Sequence, residues 1–320
     1  PEFHAEGVYL FAKAASCGIK LMVLDDGWFG KRDNDRSSLG DWFVDKRKLP
    51  NGIDGLCKKI NALGMKFGLW FEPEMISPVS ELYAKHPDWC IHVDGRDRKE
   101  GRNQLILDLS RDEVCDYIIN SVNAVLDSAN IEYVKWDMNR NMACVGSATL
   151  PSDRQGELYH RYMLGLYKVL EAIVSSHPHI LFESCSGGGR FDPGMLHYMP
   201  QTWTSDNTDA LARIDIQYGT SICYPYSSMG AHVSAVPNHQ VRRTTPISFR
   251  GNVAIPGQFG YELDLTKLSD KDIAEIKEQT KFYEKYGEVF HRGDLYRLRN
   301  PLGDYMSAIE FVSEDKNTVI

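Results

Sequence analysis

Short apolar runs, each closing on polar or aromatic residues and each followed by a helix-length segment, narrow the choice of fold more than any other property of this chain. Ile19–Leu24, Lys66–Phe71, Gln104–Leu109, Tyr133–Asp137, Ile180–Ser184, Gln201–Thr204, the stretch around Met229–Val233 and one near Asn252–Pro256 read as strands. Between them lie amphipathic stretches at Ala5–Ser16, Ile53–Leu63, Ser80–Lys85, Asp112–Leu126 and Glu157–Val174, and a charged one at Asp270–Tyr286. In Asp112–Leu126 the apolar residues Val114, Tyr117, Ile118 and Val122 recur at helical spacing. Strand and helix in alternation imply a parallel sheet with crossover helices. About eight such strands are what a closed (β/α)8, TIM-type barrel requires.

No segment of 20–50 residues repeats, so a solenoid or propeller has no support. The chain has 320 residues, above the roughly 250 of a single barrel. From Leu295 the character changes, and Tyr305–Val312 alternates as a sheet strand does. The expected division is a barrel over 1–294 and the opening of an all-β domain over 295–320.

Charge excludes one class of function. The formal net charge is −8, and basic clusters such as Lys46-Arg47-Lys48 and Arg242-Arg243 are short and isolated. Nucleic-acid binding, which needs a phosphate-neutralising stripe, is not expected. No apolar run reaches the ~20 residues that span a bilayer, so no membrane segment is expected. The first residues show no signal peptide. Seven dispersed cysteines without a Cys-x-x-Cys pair argue against a disulfide framework or zinc knuckle and fit a reducing, cytoplasmic compartment.

In a β/α barrel the carboxyl ends of the strands carry the chemistry. Leu24-Asp25-Asp26-Gly27-Trp28 places two acids and an indole there, suited to a polyol, although a turn or helix cap explains Asp-Asp-Gly equally well. In Leu69-Trp70-Phe71-Glu72-Pro73-Glu74 the two-residue period puts Trp70 and Glu72 on one face, where Trp70 is either site or core. Lys135, Asp137 and Asn139 share a face in the same way. A lysine two residues before an aspartate favours the ionised carboxylate that a nucleophile needs, and a buried ion pair would have the same spacing.

Glu183-Ser184-Cys185-Ser186-Gly187-Gly188-Gly189-Arg190 offers close backbone approach to a ligand. It lacks the Lys-Ser/Thr ending of a phosphate loop. Trp203-Thr204-Ser205-Asp206-Asn207-Thr208-Asp209 brings two more acids, of which Asp209 reads as the cap of a helix starting at Ala210. Metal-ligand spacings and the Gly-x-Ser-x-Gly elbow are absent, so neither metal nor cofactor is expected. A pair of carboxylates with separate roles is what glycoside hydrolysis uses, and the residues alone do not name the sugar.

The strings Leu24-Asp25-Asp26-Gly27-Trp28-Phe29-Gly30, Lys135-Trp136-Asp137-Met138-Asn139-Arg140, Ser184-Cys185-Ser186-Gly187-Gly188-Gly189-Arg190-Phe191-Asp192 and Trp203 to Asp209 resemble the glycoside hydrolase family 36 α-galactosidases. The resemblance covers essentially the whole chain, in order. It implies a retaining double displacement on terminal α-galactosyl units of melibiose, raffinose and stachyose, a small-molecule substrate. It makes Asp137 the nucleophile and Asp206 the acid/base, with Asp25, Asp26, Trp70, Arg102, Lys135, Asn139, Cys185, Gly187, Gly188 and Trp203 binding the sugar. Retention then requires carboxyls roughly 5–5.5 Å apart and an acid of raised pKa.

The resemblance further implies a β-sandwich domain ahead of the barrel, a smaller β domain after it, a first barrel strand before Pro1 and a homotetramer in the full-length protein. Its alternatives are galactosyl transfer, as in a raffinose or stachyose synthase, an α-N-acetylgalactosaminidase, and a sugar-binding fragment without turnover.

Overall fold

The computed structural model describes residues 5–187, 192–303 and 306–320, with side chains from residue 9 onward. In chain order the first half holds α1 (Ala5–Ser16), β1 (Leu21–Leu24), α2 (Gly52–Asn61), β2 (Lys66–Phe71), β3 (Met75–Ile76), α3 (Glu81–Lys85), β4 (Leu105–Ile106) and α4 (Asp112–Leu126). Then come β5 (Tyr133–Trp136), α5 (Leu158–Ser176), β6 (Leu181–Ser184), α6 (Pro193–Tyr198), β7 (Gln201–Trp203) and α7 (Ala210–Thr220). The chain continues with β8 (Met229–Ser234), α8 (Ile247–Ala254), β9 (Gln258–Glu262), α9 (Asp270–Arg292), β10 (Asp294–Arg299) and β11 (Ala308–Val312). The described residues fall into two compact units, one built on residues 20–187 and 192–199, the other on residues 9–19 and from Pro200 onward.

In the first unit β1, β2, β5 and β6 pair in that order, all parallel. The register sets Trp70 opposite Lys135 and Lys135 opposite Glu183, so polar and aromatic strand ends line up in one row. Parallel strands need crossovers, and helices supply them by burying one stripe each. In α5 that stripe is Leu158, Tyr162, Leu166, Val169, Leu170 and Ile173; in α4 it includes Val114, Cys115, Ile118 and Val122. Beside β2 the rings of Trp28, Phe29, Trp42, Trp70 and Phe71 are buried together, with Phe29 and Trp42 centroids 4.4 Å apart. Burying a side chain of that size contributes about 1.5–3 kcal/mol.

Where α5 crosses the segment before α4, it approaches the backbone itself. A Cβ on Gly165 would lie 1.8 Å from the carbonyl oxygen of Leu109, which no side-chain rotation relieves. Gly165→Ala is therefore expected to destabilise the protein by about 2–3 kcal/mol despite alanine's better helix propensity. Chemical denaturation measures this, and an unchanged midpoint would contradict the close approach.

In the second unit β7, β8 and β9 are parallel, with Trp203 opposite Gly230 and His232 opposite Gly260. Tyr226, Met229, Ile255, Phe290 and Phe311 form its apolar centre. β10 and β11 pair antiparallel.

Two strand expectations are corrected. Asn252–Pro256 is not a strand: α8 runs through Ala254, burying Ile247, Arg250, Gly251 and Ala254 at helical spacing, and the strand is β9. Gly251 and Val253 are weak helix formers, so burial rather than propensity decides this segment. Gln104–Leu109 contributes no parallel strand. Only Leu105–Ile106 is a strand, and it pairs antiparallel with β3 before the Asp108 carboxylate turns the chain by accepting the Ser110 N–H at 3.1 Å. The described residues thus hold seven parallel strands, not eight. The antiparallel β10–β11 pair agrees with the alternation read near the C-terminus, and Tyr305 lies outside the described residues. Among the described residues no helix is long and apolar enough to cross a membrane.

Candidate active site

Asp137 stands one residue beyond β5, its backbone N–H donating to Phe71 O at 2.7 Å, so the ladder itself carries it to the carboxyl end of the strands. The side chain is buried, and its carboxylate accepts three N–H groups. Met138 N donates to Oδ1 at 2.9 Å, Trp70 Nε1 to Oδ2 at 3.1 Å and Asn139 Nδ2 to Oδ2 at 2.5 Å. Charge-assisted bonds from three directions hold the group in one orientation. Trp70 is therefore both core and site: 3% exposed, it receives Trp28 Nε1 on its carbonyl at 2.9 Å while its own indole N–H reaches the carboxylate.

Glu72 shares the face of Trp70 and accepts the backbone N–H of Asn139 at 2.5 Å. Burial and the neighbouring Asp137 charge push its pKa up to about 8, against the pull of Asn139 and Arg102. Arg102 itself sits on the exposed turn bounded by Gly101 and Gln104, with φ of +51°.

Lys135 Nζ lies 3.3 Å from Asp25 Oδ2, an ion pair across 110 positions of sequence, and its charge also acts on Asp137 through space. Burial opposes the ammonium charge, but Asp25, Glu183, Cys185 and Asp137 outweigh it and hold the pKa above the ordinary lysine range. Asp25 stays 62% exposed in its side chain, and Asp26 is engaged by Arg32, whose Nε and Nη2 donate at 2.9 and 2.8 Å. Beneath them Lys48 Nζ donates to Gly27 O at 2.8 Å and Arg32 O at 2.5 Å.

On β6 the buried Glu183 accepts Tyr133 Oη at 2.6 Å, and burial raises its pKa. Cys185 follows, buried, its N–H donating to Trp136 O at 2.7 Å. Gly187 has φ of +59°, a conformation suited to glycine, with open space where a Cβ would stand. Gly188 lies outside the described residues.

In the second unit Trp203 is buried against His232, ring centroids 4.5 Å apart. Asp206 is exposed, and its backbone carbonyl accepts Gln240 Nε2 at 2.9 Å. Asp209 caps α7 as expected, accepting the Ala212 N–H at 3.1 Å, and is paired with Arg243. Among the described residues no group of three or more His, Cys, Asp or Glu side chains is placed to hold a metal ion.

Sequence reading left out Glu72, Arg32 and Lys48 as site residues. For Glu72 a signal existed, its two-residue spacing from Trp70; for Arg32 and Lys48 none did, because their partners are set by the path of the loop.

Carboxylates, a lysine and indole rings at the carboxyl ends of parallel strands make an α/β protein suited to a polyhydroxylated ligand. The chain belongs to the melibiase family, whose model matches residues 2–293. The α-galactosidase AgaA of Geobacillus stearothermophilus is 61% identical over all of this chain and 44% of its own length. The α-galactosidase Mel36A of Lactobacillus acidophilus is 51% identical over 96% of this chain and 42% of its own. The crystal structure of the family 36 enzyme AgaA matches with a TM-score of 0.94 at 62% identity, over 96% of this chain and 43% of that one. A variant of AgaA in complex with raffinose gives a TM-score of 0.95 at 61% identity, over 97% and 43%. The family 36 resemblance of the four strings thus holds over the whole chain. The chain spans less than half the length of these relatives.

Proposed function

We propose that the protein is a retaining exo-α-galactosidase that removes terminal α-linked galactose from melibiose, raffinose and related galactosides. One observation carries this reading: in a melibiase-family chain, the aspartate of Lys135-Trp136-Asp137 is buried with its carboxylate fixed by three N–H donors. A nucleophile must meet the anomeric carbon in a set direction, and such fixing supplies it. Asp137 attacks the anomeric carbon as the glycosidic C–O bond breaks and Asp206 protonates the leaving oxygen; water, giving a proton to Asp206, then attacks the same carbon and breaks its bond to Asp137, so galactose leaves with its anomeric configuration kept. Asp25, Asp26, Arg102, Lys135, Cys185, Gly187, Gly188 and Trp203 bind the sugar in this proposal, Asp25 as an exposed acid and Lys135 as a half-buried cation for its hydroxyls. The same reading takes 1–294 as a TIM-type (β/α)8 barrel lacking its first strand, and 295–320 as the beginning of a β domain, in a cytoplasmic homotetramer when full-length. Its support is the family match and the seven free cysteines.

A mechanism-based galactosyl label tests the assignment in the intact protein. It is expected on Asp137, and peptide mapping to any other residue overturns the mechanism. Product analysis with melibiose, alone and with sucrose added, separates hydrolysis from transfer. Trp70→Phe keeps the ring packing but removes one donor to the carboxylate. A hydrogen bond to a charged group contributes about 1.5–3 kcal/mol, so kcat is expected to fall roughly 10- to 100-fold with KM little changed.

A further inference from the structure

Glu72 is a buried acid, 1% exposed, whose hydrogen-bond partner is Asn139, through its backbone N–H at 2.5 Å and also its side chain, and not a cation. Burying a carboxyl is costly, and an apolar residue of similar size would fill the same space at less cost. The position it occupies is specific. β2 and β5 run parallel with Phe71 opposite Trp136, so the residues just past each strand, Glu72 and Asp137, emerge side by side. Asn139 then bridges them, its backbone N–H on Glu72 Oε1 and its side-chain Nδ2 on Asp137 Oδ2, both at 2.5 Å.

We propose that Glu72 is a positioning residue for the nucleophile: by holding the Asn139 backbone where the chain leaves β5, it presents the Asn139 amide to Asp137. This rests on Asp137 being the nucleophile. Two anions emerging side by side would repel, and the raised pKa of Glu72 keeps it a neutral acceptor at pH 7, so it steadies Asn139 without opposing Asp137. Trp70, on the same strand and face, reaches Oδ2 directly. β2 thus fixes the carboxylate twice, once by its own donor and once through a neighbour.

The test compares Glu72→Leu with Glu72→Gln in the intact protein, using 4-nitrophenyl α-galactoside. Leucine fills the space without an acceptor, and kcat is expected to fall about 30-fold with KM within about three-fold. Glutamine keeps an acceptor oxygen at the same reach and is expected to restore kcat to within about three-fold of wild type. A leucine variant with wild-type kcat, or a glutamine variant as impaired as leucine, overturns the assignment. If Glu72→Leu does not fold, Glu72→Asp replaces it: the oxygen is drawn back by one methylene, and the same loss of kcat is expected; unchanged kcat overturns the proposal. An active wild type with unaffected variants overturns this assignment alone. An inactive wild type overturns the galactosidase reading, and this assignment with it.

Discussion

Asp137→Ala is expected to lower kcat by about 10^4-fold or more, the scale seen when a covalent nucleophile is removed. The change deletes the attacking oxygen and leaves Trp70 Nε1, Asn139 Nδ2 and Met138 N–H facing the vacated space. Those donors, with the Lys135 charge nearby, favour a small anion there. Azide supplied in solution should therefore restore turnover, and attack from the nucleophile's side yields the β-galactosyl azide, inverted relative to substrate. The checks are steady-state kinetics with and without azide and NMR of the adduct. Full activity in the alanine variant, or an α-configured azide, would remove Asp137 from the reaction.

The second large effect concerns stability against pH. In the unfolded chain Glu72 titrates near its ordinary value of 4.5, whereas in the folded protein burial and the Asp137 charge move it to about 8. The folded state thus keeps a proton that the unfolded state has released. Stability linked to this group is complete below about pH 4.5 and is lost as pH rises to about 8. At 1.36 kcal/mol per pH unit the loss is on the order of 4–5 kcal/mol. Glu72→Gln carries no titrating group and imitates the protonated form at every pH. The difference in unfolding free energy between the two proteins should shift toward the glutamine variant by that amount between pH 4.5 and 8. Denaturation at several pH values measures it, and a difference independent of pH would show that Glu72 ionises normally.

Periodicity made some of this visible and hid the rest. Trp70 with Glu72, and Lys135 with Asp137 and Asn139, are legible because a strand alternates its side chains every two residues, and the structure places both sets at the carboxyl ends of adjacent strands. Strand–helix alternation also located α4, α5 and β2. What alternation cannot show is partnership across the chain. Spacing shows Lys135 beside Asp137 but not its ion pair with Asp25, which the pairing order of the strands brings near. Likewise α8 was misread because its buried face includes Arg250 and Gly251, residues whose type says nothing of burial. β9, Gln258-Phe259-Gly260-Tyr261-Glu262, has no apolar run to mark it, and its pairing with β8 is what makes it a strand.

The Lys48 ammonium, fastened under the Asp25–Asp26 loop, grips main-chain oxygens of Gly27 and Arg32 and no side chain of the two aspartates. Main-chain contacts therefore set part of that loop's course, and the displayed acids set the rest: Asp25 Oδ1 accepts the Asp26 N–H at 2.8 Å, and Arg32 holds Asp26. A substitution at Asp25 thus removes a hold on the loop together with the acid it displays, and the Lys48 grip on Gly27 and Arg32 is what remains to keep the loop's course.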